Sequence, residues 1–222
     1  MRPLTVSLLL IAFAASLPEA TGQALRMRPA DQLMVDLFTD HWAGLPDDID
    51  ANLINRGIRI NALRDIPLGL SNFSFAIGAI FSGHNLYSDH AYVNHDGQFG
   101  FFPIEGSFSN NKLSLNYLGV PVEIRYKTRH RSRALKLHAG LTVSRLINAH
   151  TKFTGTDPVT GRYIKTKEAR LGQIQAHSLS VQFRVAYSRL GIFSGIALSN
   201  LFEQDDLSAM QPVSIGLVYM LF

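Results

Sequence analysis

The chain has 222 residues, 46% of them hydrophobic, which is enough to bury a sizeable apolar surface and excludes disorder throughout. Charged residues make up only 17%, against roughly 25% in an average soluble domain, and the net charge of +4 is spread over several segments instead of forming the basic stripe of a nucleic-acid binder. Cysteine is absent, which removes disulfides, thiolate metal sites, a catalytic thiol and the lipid-accepting residue of a lipoprotein.

Residues 1–22 read as a cleaved secretory signal. Arg2 supplies the positive start, Leu4 to Leu17 the apolar run, Pro18 and Glu19 the break, and Ala20 and Gly22 the small positions before a mature start at Gln23. The apolar run of about 14 residues falls short of the roughly 20 that cross a bilayer as a helix. No later run approaches that length, so any further membrane crossing is left to strands. The expected organisation is a signal peptide over 1–22 and a single domain over 23–222.

Period-two alternation dominates the rest, placing successive side chains on opposite faces of a strand. The first segment, 32–42, puts Leu33, Val35 and Leu37 on one side. Segment 57–65 sets Ile58, Ile60 and Ala62 opposite Arg59, Asn61 and Leu63. The clearest case is 72–84, where Phe73, Phe75, Ile77, Ala79 and Phe81 alternate with Ser74, Ala76, Gly78, Ile80 and Ser82. Segment 113–127 begins with Leu113, Leu115 and Tyr117, then changes parity at Leu118-Gly119 to Val120, Val122, Ile124 and Tyr126 opposite Glu123, Arg125 and Lys127. A parity change beside a glycine and Pro121 predicts a β-bulge there. Segment 133–145 sets Leu135, Leu137, Ala139, Leu141 and Val143 against Lys136, His138, Gly140, Thr142 and Ser144. Segment 177–187 sets Leu179, Val181, Phe183, Val185 and Tyr187 against Ser178, Ser180, Gln182, Arg184 and Ala186. Segments 190–202 and 213–222 complete a set of eight.

The connections sort by length. With the first strand running outward, 66–71, 128–132 and 188–189 are short turns, while 43–56, 85–112, 148–169 and 203–211 are long. Short turns at one rim, long loops at the other and an even strand count predict an all-β fold, a single antiparallel up-and-down transmembrane barrel of about eight strands in a bacterial outer membrane. Both mature ends then lie in the periplasm. Closure satisfies the backbone groups that an open sheet edge would leave unpaired in lipid. Eight strands enclose an interior only wide enough for side chains, so the polar face becomes a packed lumen and not a pore. Arg59, Glu123, Arg125, Lys136, His138 and Arg184 are expected in or near that lumen as a hydrogen-bonded network, with Glu123 the main carboxylate. The set carries excess cations, which Asp65, water or chain carbonyls must offset.

Two segments resemble the PorT-like outer-membrane β-barrel proteins. Tyr117-Leu118-Gly119-Val120-Pro121-Val122-Glu123-Ile124-Arg125-Tyr126 is similar to that family's Y-L-x-[VI]-P strand, and Ser74-Phe75-Ala76-Ile77-Gly78 to its glycine-containing early strand; a strand ending in Phe222 completes the likeness. It runs from about Asp31 to the end and implies an eight-stranded outer-membrane barrel, with no assigned chemistry for most members. One departure is Met220, which stands where such terminal strands often carry an aromatic two residues before the final Phe; Tyr219 lies on the other face.

Sites for chemistry are weak. His84, Asp89-His90 and His95-Asp96 surround the longest loop, where His and Asp are ordinary residues, so no metal or other cofactor is expected. His177-Ser178 are strand neighbours pointing to opposite faces and do not make a nucleophile with an oriented base. Asp96-Gly97 and Thr160-Gly161 read as turns inside loops. The sharpest charge cluster is the basic periplasmic turn with Lys127, Arg129, His130, Arg131 and Arg133, read as a solvated turn before a headgroup or acidic-partner contact. Loop 85–112 carries Tyr87, Tyr92, Phe99, Phe101, Phe102 and Phe108, which implies either a recognition surface for a protein partner or folding back over the barrel mouth. The expected function is non-enzymatic, structural or interactive, with outer-membrane lipid and, through the strand ending in Phe222, the barrel-assembly machinery as partners. The alternatives are a component of outer-membrane secretion machinery, a soluble lipocalin-like binder of small apolar molecules and an outer-membrane hydrolase.

Overall fold

The alternating segments pair into a closed ring. A computed structural model describes residues 30–128, 133–156, 160–169, 171–204, 207 and 209–221, with backbone alone at 30 and 31. The signal segment 1–22, Arg129, His130, Arg131 and Phe222 lie outside these residues. Eight strands form the ring: β1 (Ala30–Ala43), β2 (Arg56–Pro67), β3 (Phe73–Tyr87), β6 (Phe108–Lys127), β7 (Leu135–Thr156), β9 (His177–Tyr187), β10 (Leu190–Ala197) and β11 (Gln211–Met220). All neighbours are antiparallel, and the last strand returns to the first, with Met34 opposite Met220 and Thr39 opposite Ile215. Three further strands lie outside the ring. β4 (His90–His95) and β5 (Gln98–Pro103) form a separate hairpin, and β8 (Tyr163–Ala169) pairs with the far end of β7 from His150 to Thr156.

One rim carries the tight connections 68–72, 128–134 and 188–189, the other all the long ones. Within the longest, Asp96 (φ 52°) and Gly97 (φ 89°) form the two-residue turn of the β4–β5 hairpin, a left-handed pair that Asp-Gly adopts at low cost. The turn was legible in the sequence; the two short strands it joins were not.

β6 corrects one expectation. No bulge forms at Leu118-Gly119, and no parity change occurs: Leu113, Leu115, Tyr117, Gly119, Pro121, Glu123 and Arg125 all face inward. What changes at Gly119 is the chemistry of the interior, apolar toward the loop rim and charged toward the turn rim. The true slip lies on β7, between the pairs Asn116–Asn148 and Tyr117–Leu146, where Ile147 is the additional residue. Pro121 leaves a gap in the β3–β6 ladder between Ile77–Val122 and Ile80–Gly119, because it has no N–H to donate, and the register resumes unchanged beyond it.

The outward positions are apolar all round. Leu37, Ile60, Phe73, Val122, Leu137, Phe183, Ile192 and Leu217 come from the eight strands in turn, with Phe73 at 48%, Leu137 at 39% and Leu217 at 65% exposure. At the turn-rim end of this band the aromatics Phe73, Tyr126, Tyr187 and Tyr219 form a girdle; Phe73 and Tyr126 are cross-strand partners with ring centroids 5.1 Å apart. On β2 the band is bounded by the outward Arg56 and Arg64. Eight residues of strand separate them, roughly 26 Å, which tilting shortens to about 20 Å and arginine stems extend at either end.

Candidate functional site

The interior has two stacked regions. Toward the turn rim, Glu123 is fully buried and accepts three hydrogen bonds. Its Oε2 accepts Arg125 Nε at 2.8 Å, and Arg125 Nη2 stands 2.7 Å from the same oxygen as an ion pair. Its Oε1 accepts Arg184 Nη1 at 2.7 Å and Gln182 Nε2 at 2.9 Å. The position opposite Glu123 on β7 is Gly140, and a Cβ there would stand 2.6 Å from Glu123 Cγ, so this glycine makes the room the carboxylate occupies.

Arg184 spans the lumen. Beyond Glu123 it grips Asp36 on β1 with two nitrogens, Nη2 to Oδ2 at 2.7 Å and Nε to Oδ1 at 3.3 Å, and Nη2 also donates to Asn61 Oδ1 at 3.0 Å. Such forked pairing satisfies a planar guanidinium that burial would otherwise penalise heavily. Asn61 Nδ2 donates back to Asp36 Oδ2 at 3.0 Å. Arg59 donates to Gln182 Oε1 at 2.8 Å and lies over the Phe193 ring at 4.7 Å. Arg125 Nη1 reaches Gln32 Oε1 at 2.7 Å, and Asp65 Oδ1 stands 3.7 Å from the same nitrogen. Nearer the loops, His84 Nδ1 and Ser214 Oγ lie 3.0 and 2.5 Å from the buried Asp40.

The structure places all six expected lumen residues inside: Arg59, Glu123, Arg125, Lys136, His138 and Arg184 are buried. They do not form one equal network. Glu123, Arg125 and Arg184 are joined directly, Arg59 through Gln182, while His138 Nδ1 sits 3.8 Å from Glu123 and Lys136 Nζ reaches only Met220 Sδ at 3.4 Å. The sequence reading missed Asp36 and Asp40. Together with Glu123 and the half-buried Asp65 they match the four cations Arg59, Arg125, Lys136 and Arg184, which removes the expected excess. The signal was present: Leu33, Val35 and Leu37 alternate with Met34, Asp36 and Phe38, and only the apolar side of that strand was followed.

Among the described residues, buried side chains fill the lumen. An internal cavity of about 30 Å³ is lined by Arg59, Tyr117, Thr142 and Ser178 among others, a volume that holds a water or two. Arg59 Nε, Tyr117 OH and Thr142 Oγ1 are the buried polar atoms around it with no hydrogen-bond partner among the described residues. His177 faces outward and is exposed, while Ser178 faces this cavity, so the two lie on opposite sides of the wall.

Toward the loop rim the lumen is greasy and capped. Trp42, Leu86, Leu113, Leu115 and Tyr117 on the strands pack with Leu201, Phe202, Leu207 and Met210 from the β10–β11 connection and with Tyr92 of β4. Tyr92 is stacked on Phe99, tilted against Phe101 and Phe202 at 5.1 and 5.5 Å, and donates its hydroxyl to Gly172 O at 3.0 Å. Burial, and then the charge of Glu203, push that phenol above its ordinary value. Gln204 bonds Phe99 O and Gln173 Oε1, and Asn111 Nδ2 holds the Ser88 and His90 carbonyls at 2.9 and 2.7 Å. Of the two options for the aromatic loop, folding back over the mouth describes Tyr92, Phe99 and Phe101. Phe102 and Phe108 stay exposed. An open cleft of about 780 Å³ lies beside the hairpin, lined by Asp48, His95, Phe99, Phe101, Phe102 and Gln204 among others.

Among the described residues the histidines do not gather into a ligand set. His84 pairs with Asp40, His90 with Asp89 at 2.7 Å and His95 with Asp96 at 3.2 Å. Burial alone would raise the Asp89 carboxyl, but the His90 ring and the Asp50 amide, 2.8 Å away, hold it below the ordinary carboxylate range. At the turn rim Lys127 is half-buried and Arg133 exposed; the remainder of that basic turn lies outside the described residues.

No protein-family model matches the chain, and no curated protein matches it. Among solved structures it is similar to Ail, the attachment invasion locus protein of Yersinia pestis, determined in complex with the heparin analogue sucrose octasulfate, at 11% identity and a TM-score of 0.41 over 88% of this chain and all of that one. At that overlap the likeness is one of general shape, and no residue of this chain takes a role from it. What the chain's own strands establish is an all-β, antiparallel, up-and-down barrel with eight strands in its ring.

Proposed function

We propose that this chain is an integral bacterial outer-membrane barrel, exported by residues 1–22, that acts through its loop-rim surface in a structural or interaction role and catalyses nothing. The observation that carries the reading is the inverted distribution of polarity. Arginine, aspartate and glutamate occupy the turn-rim half of the lumen while Leu, Ile, Val and Phe cover the outside of all eight ring strands. In water so large an apolar surface would drive association, whereas in acyl chains it costs nothing, and a closed ring leaves no backbone edge unpaired there. A girdle of aromatics at the turn-rim margin fits the same medium.

The soluble lipocalin-like alternative needs the opposite arrangement, apolar side chains inward around a ligand cavity. The 30 Å³ interior space and the ionic centre oppose it. A place in secretion machinery rests on the two PorT-like segments alone. The test is fractionation of cells expressing the full chain, with gels of heated and unheated samples. Recovery in the outer-membrane fraction with a heat-dependent mobility shift supports the reading. A detergent-free soluble monomer with the same far-ultraviolet β signature overturns it.

A further inference from the structure

Above the apolar band, on the outer face of the barrel, cross-strand register lines up four residues from four adjacent strands. Tyr87 of β3 stands opposite Lys112 of β6, Lys112 opposite Lys152 of β7, and Lys152 opposite Lys167 of β8. With strands about 4.8 Å apart the row is roughly 14 Å wide. Arg56 joins it at one end, its guanidinium 5.9 Å from the Tyr87 ring centroid, with Lys112 Nζ 5.7 Å from the same ring. One pairing step farther up, Lys165 stands on the same face of β8 as Lys167.

Like charges directly opposite one another destabilise a sheet, and here three occur in succession. Alternation puts the neighbouring Glu168 on the other face, with Thr151, so it does not interleave. None of Arg56, Lys112, Lys152, Lys165 and Lys167 has a carboxylate at ion-pair distance among the described residues. Lys112 is moreover held in place. Asn85 accepts its Nζ at 3.0 Å and donates to the Arg56 carbonyl at 2.6 Å, so one side chain organises both cations. The charged form of Lys112 is disfavoured by burial and then by Lys152, Arg56 and Lys167. The extra strand β8 exists beyond the eight needed to close the ring, and it extends this face.

Height identifies the occupant. On β2 Arg56 stands two residues above the outward, exposed Ile58 at the margin of the apolar band, and by register Lys112 and Lys152 stand two residues above the level of Arg56 and Lys165 four. The four residues from Ile58 to the level of Lys112 are roughly 13 Å of strand, or about 10 Å along the membrane normal after tilt. Phospholipid headgroups occupy only about 5–7 Å beyond the hydrocarbon on each side. A phosphorylated sugar headgroup reaches farther, and the Tyr87 ring among the cations suits a sugar face. We propose that Arg56, Lys112, Lys152, Lys165 and Lys167, with Tyr87, form a docking surface for the sugar-phosphate headgroup of a phosphorylated glycolipid in the outer leaflet. This rests on the membrane reading above.

The test uses the full mature chain, refolded in neutral detergent, and native mass spectrometry with three probes: a phosphorylated glycolipid with its core sugars, the same lipid after dephosphorylation, and phosphatidylglycerol. The wild type retains the first at least tenfold more strongly than the other two. The triple variant Lys112→Gln, Lys152→Gln, Lys167→Gln loses that preference, whereas Lys127→Gln with Arg133→Gln at the opposite rim keeps it. Without lipid the triple variant melts at the same temperature as wild type or higher, because repulsion is relieved, so loss of binding is not loss of fold. The deacylated sugar phosphate, added free, competes weakly if the lipid is the occupant. Equal retention of the phosphorylated glycolipid by wild type and triple variant overturns the proposal while leaving the barrel reading intact, and full competition by the free sugar phosphate overturns the lipid as its source. A chain that never enters micelles or bilayers overturns the barrel reading itself.

Discussion

The two halves of the lumen are filled by opposite means. Toward the turn rim the strands close on a charged cluster in which Arg184 ties β9 to β6 and β1 through Glu123 and Asp36. Toward the loop rim they close on Trp42, Leu115 and Tyr117 under a lid of Tyr92 and Phe202. The charged half is built entirely from ring strands and has no chain to remove. The greasy half depends on chain that leaves the ring and returns. Ionic pairs need fixed geometry, which a closed ladder supplies, whereas apolar contact is non-directional and tolerates a plug delivered by loops.

Substitutions at the two halves should therefore report differently. The largest effect is expected from Glu123→Gln, which removes the carboxylate shared by Arg125 and Arg184 and leaves Asp36 to Arg184 and Asp65, 3.7 Å away, to Arg125. Breaking a buried pair costs about 3–5 kcal/mol, read as a fall in the urea midpoint of the heat-shifted folded band. A midpoint equal to wild type would mean that the cluster is not what holds the turn-rim half together. Phe202→Ala removes a fully buried ring from the lid, and truncations of this kind cost about 3–5 kcal/mol in a core. Here the loss should be local: limited proteolysis cuts the 85–112 connection faster while the gel shift persists. Loss of the shift would make the lid part of the barrel's global stability.

Gly140→Ala sharpens the comparison within the charged half. Its Cβ would press on Glu123 and on the backbone of β6, and overpacking of this kind costs about 1–3 kcal/mol. The double variant with Glu123→Ala should recover part of that loss, and strict additivity would show that the two positions do not share the space. The smallest effect is expected at Asp89 on the lid. Its folded pKa lies below the ordinary value, so the contribution of its pairing with His90 is present above the unfolded pKa and disappears as pH falls through the lower, folded one. Proteolysis of the 85–112 connection should therefore accelerate at acid pH in wild type, and Asp89→Asn should flatten that dependence.

Much of this was legible in the residues themselves. The outward face at Phe73, Leu137 and Phe183, the sorting of turns from loops and the six inward ionisable residues follow from period two, because a side chain's face on a strand is a local property. What lay beyond reach shows why local pattern is not enough. The partners of Arg184 are 148 and 61 residues away in sequence, so the choice of Asp36 over Asp65 depended on ring closure. The parity change expected at Gly119 was an artefact of assuming one polarity for the whole lumen; β6 keeps its faces and the interior changes its chemistry instead. Hydrophobic alternation thus determined which side chains share a face, and with the low charge content and the sorting of turns from loops it pointed to a barrel with its apolar side outward. Only the register of the closed ring decided which charges meet, which end is plugged, and that three lysines stand abreast on the outer wall, since pairing across strands is set by hydrogen bonds between segments that composition does not connect.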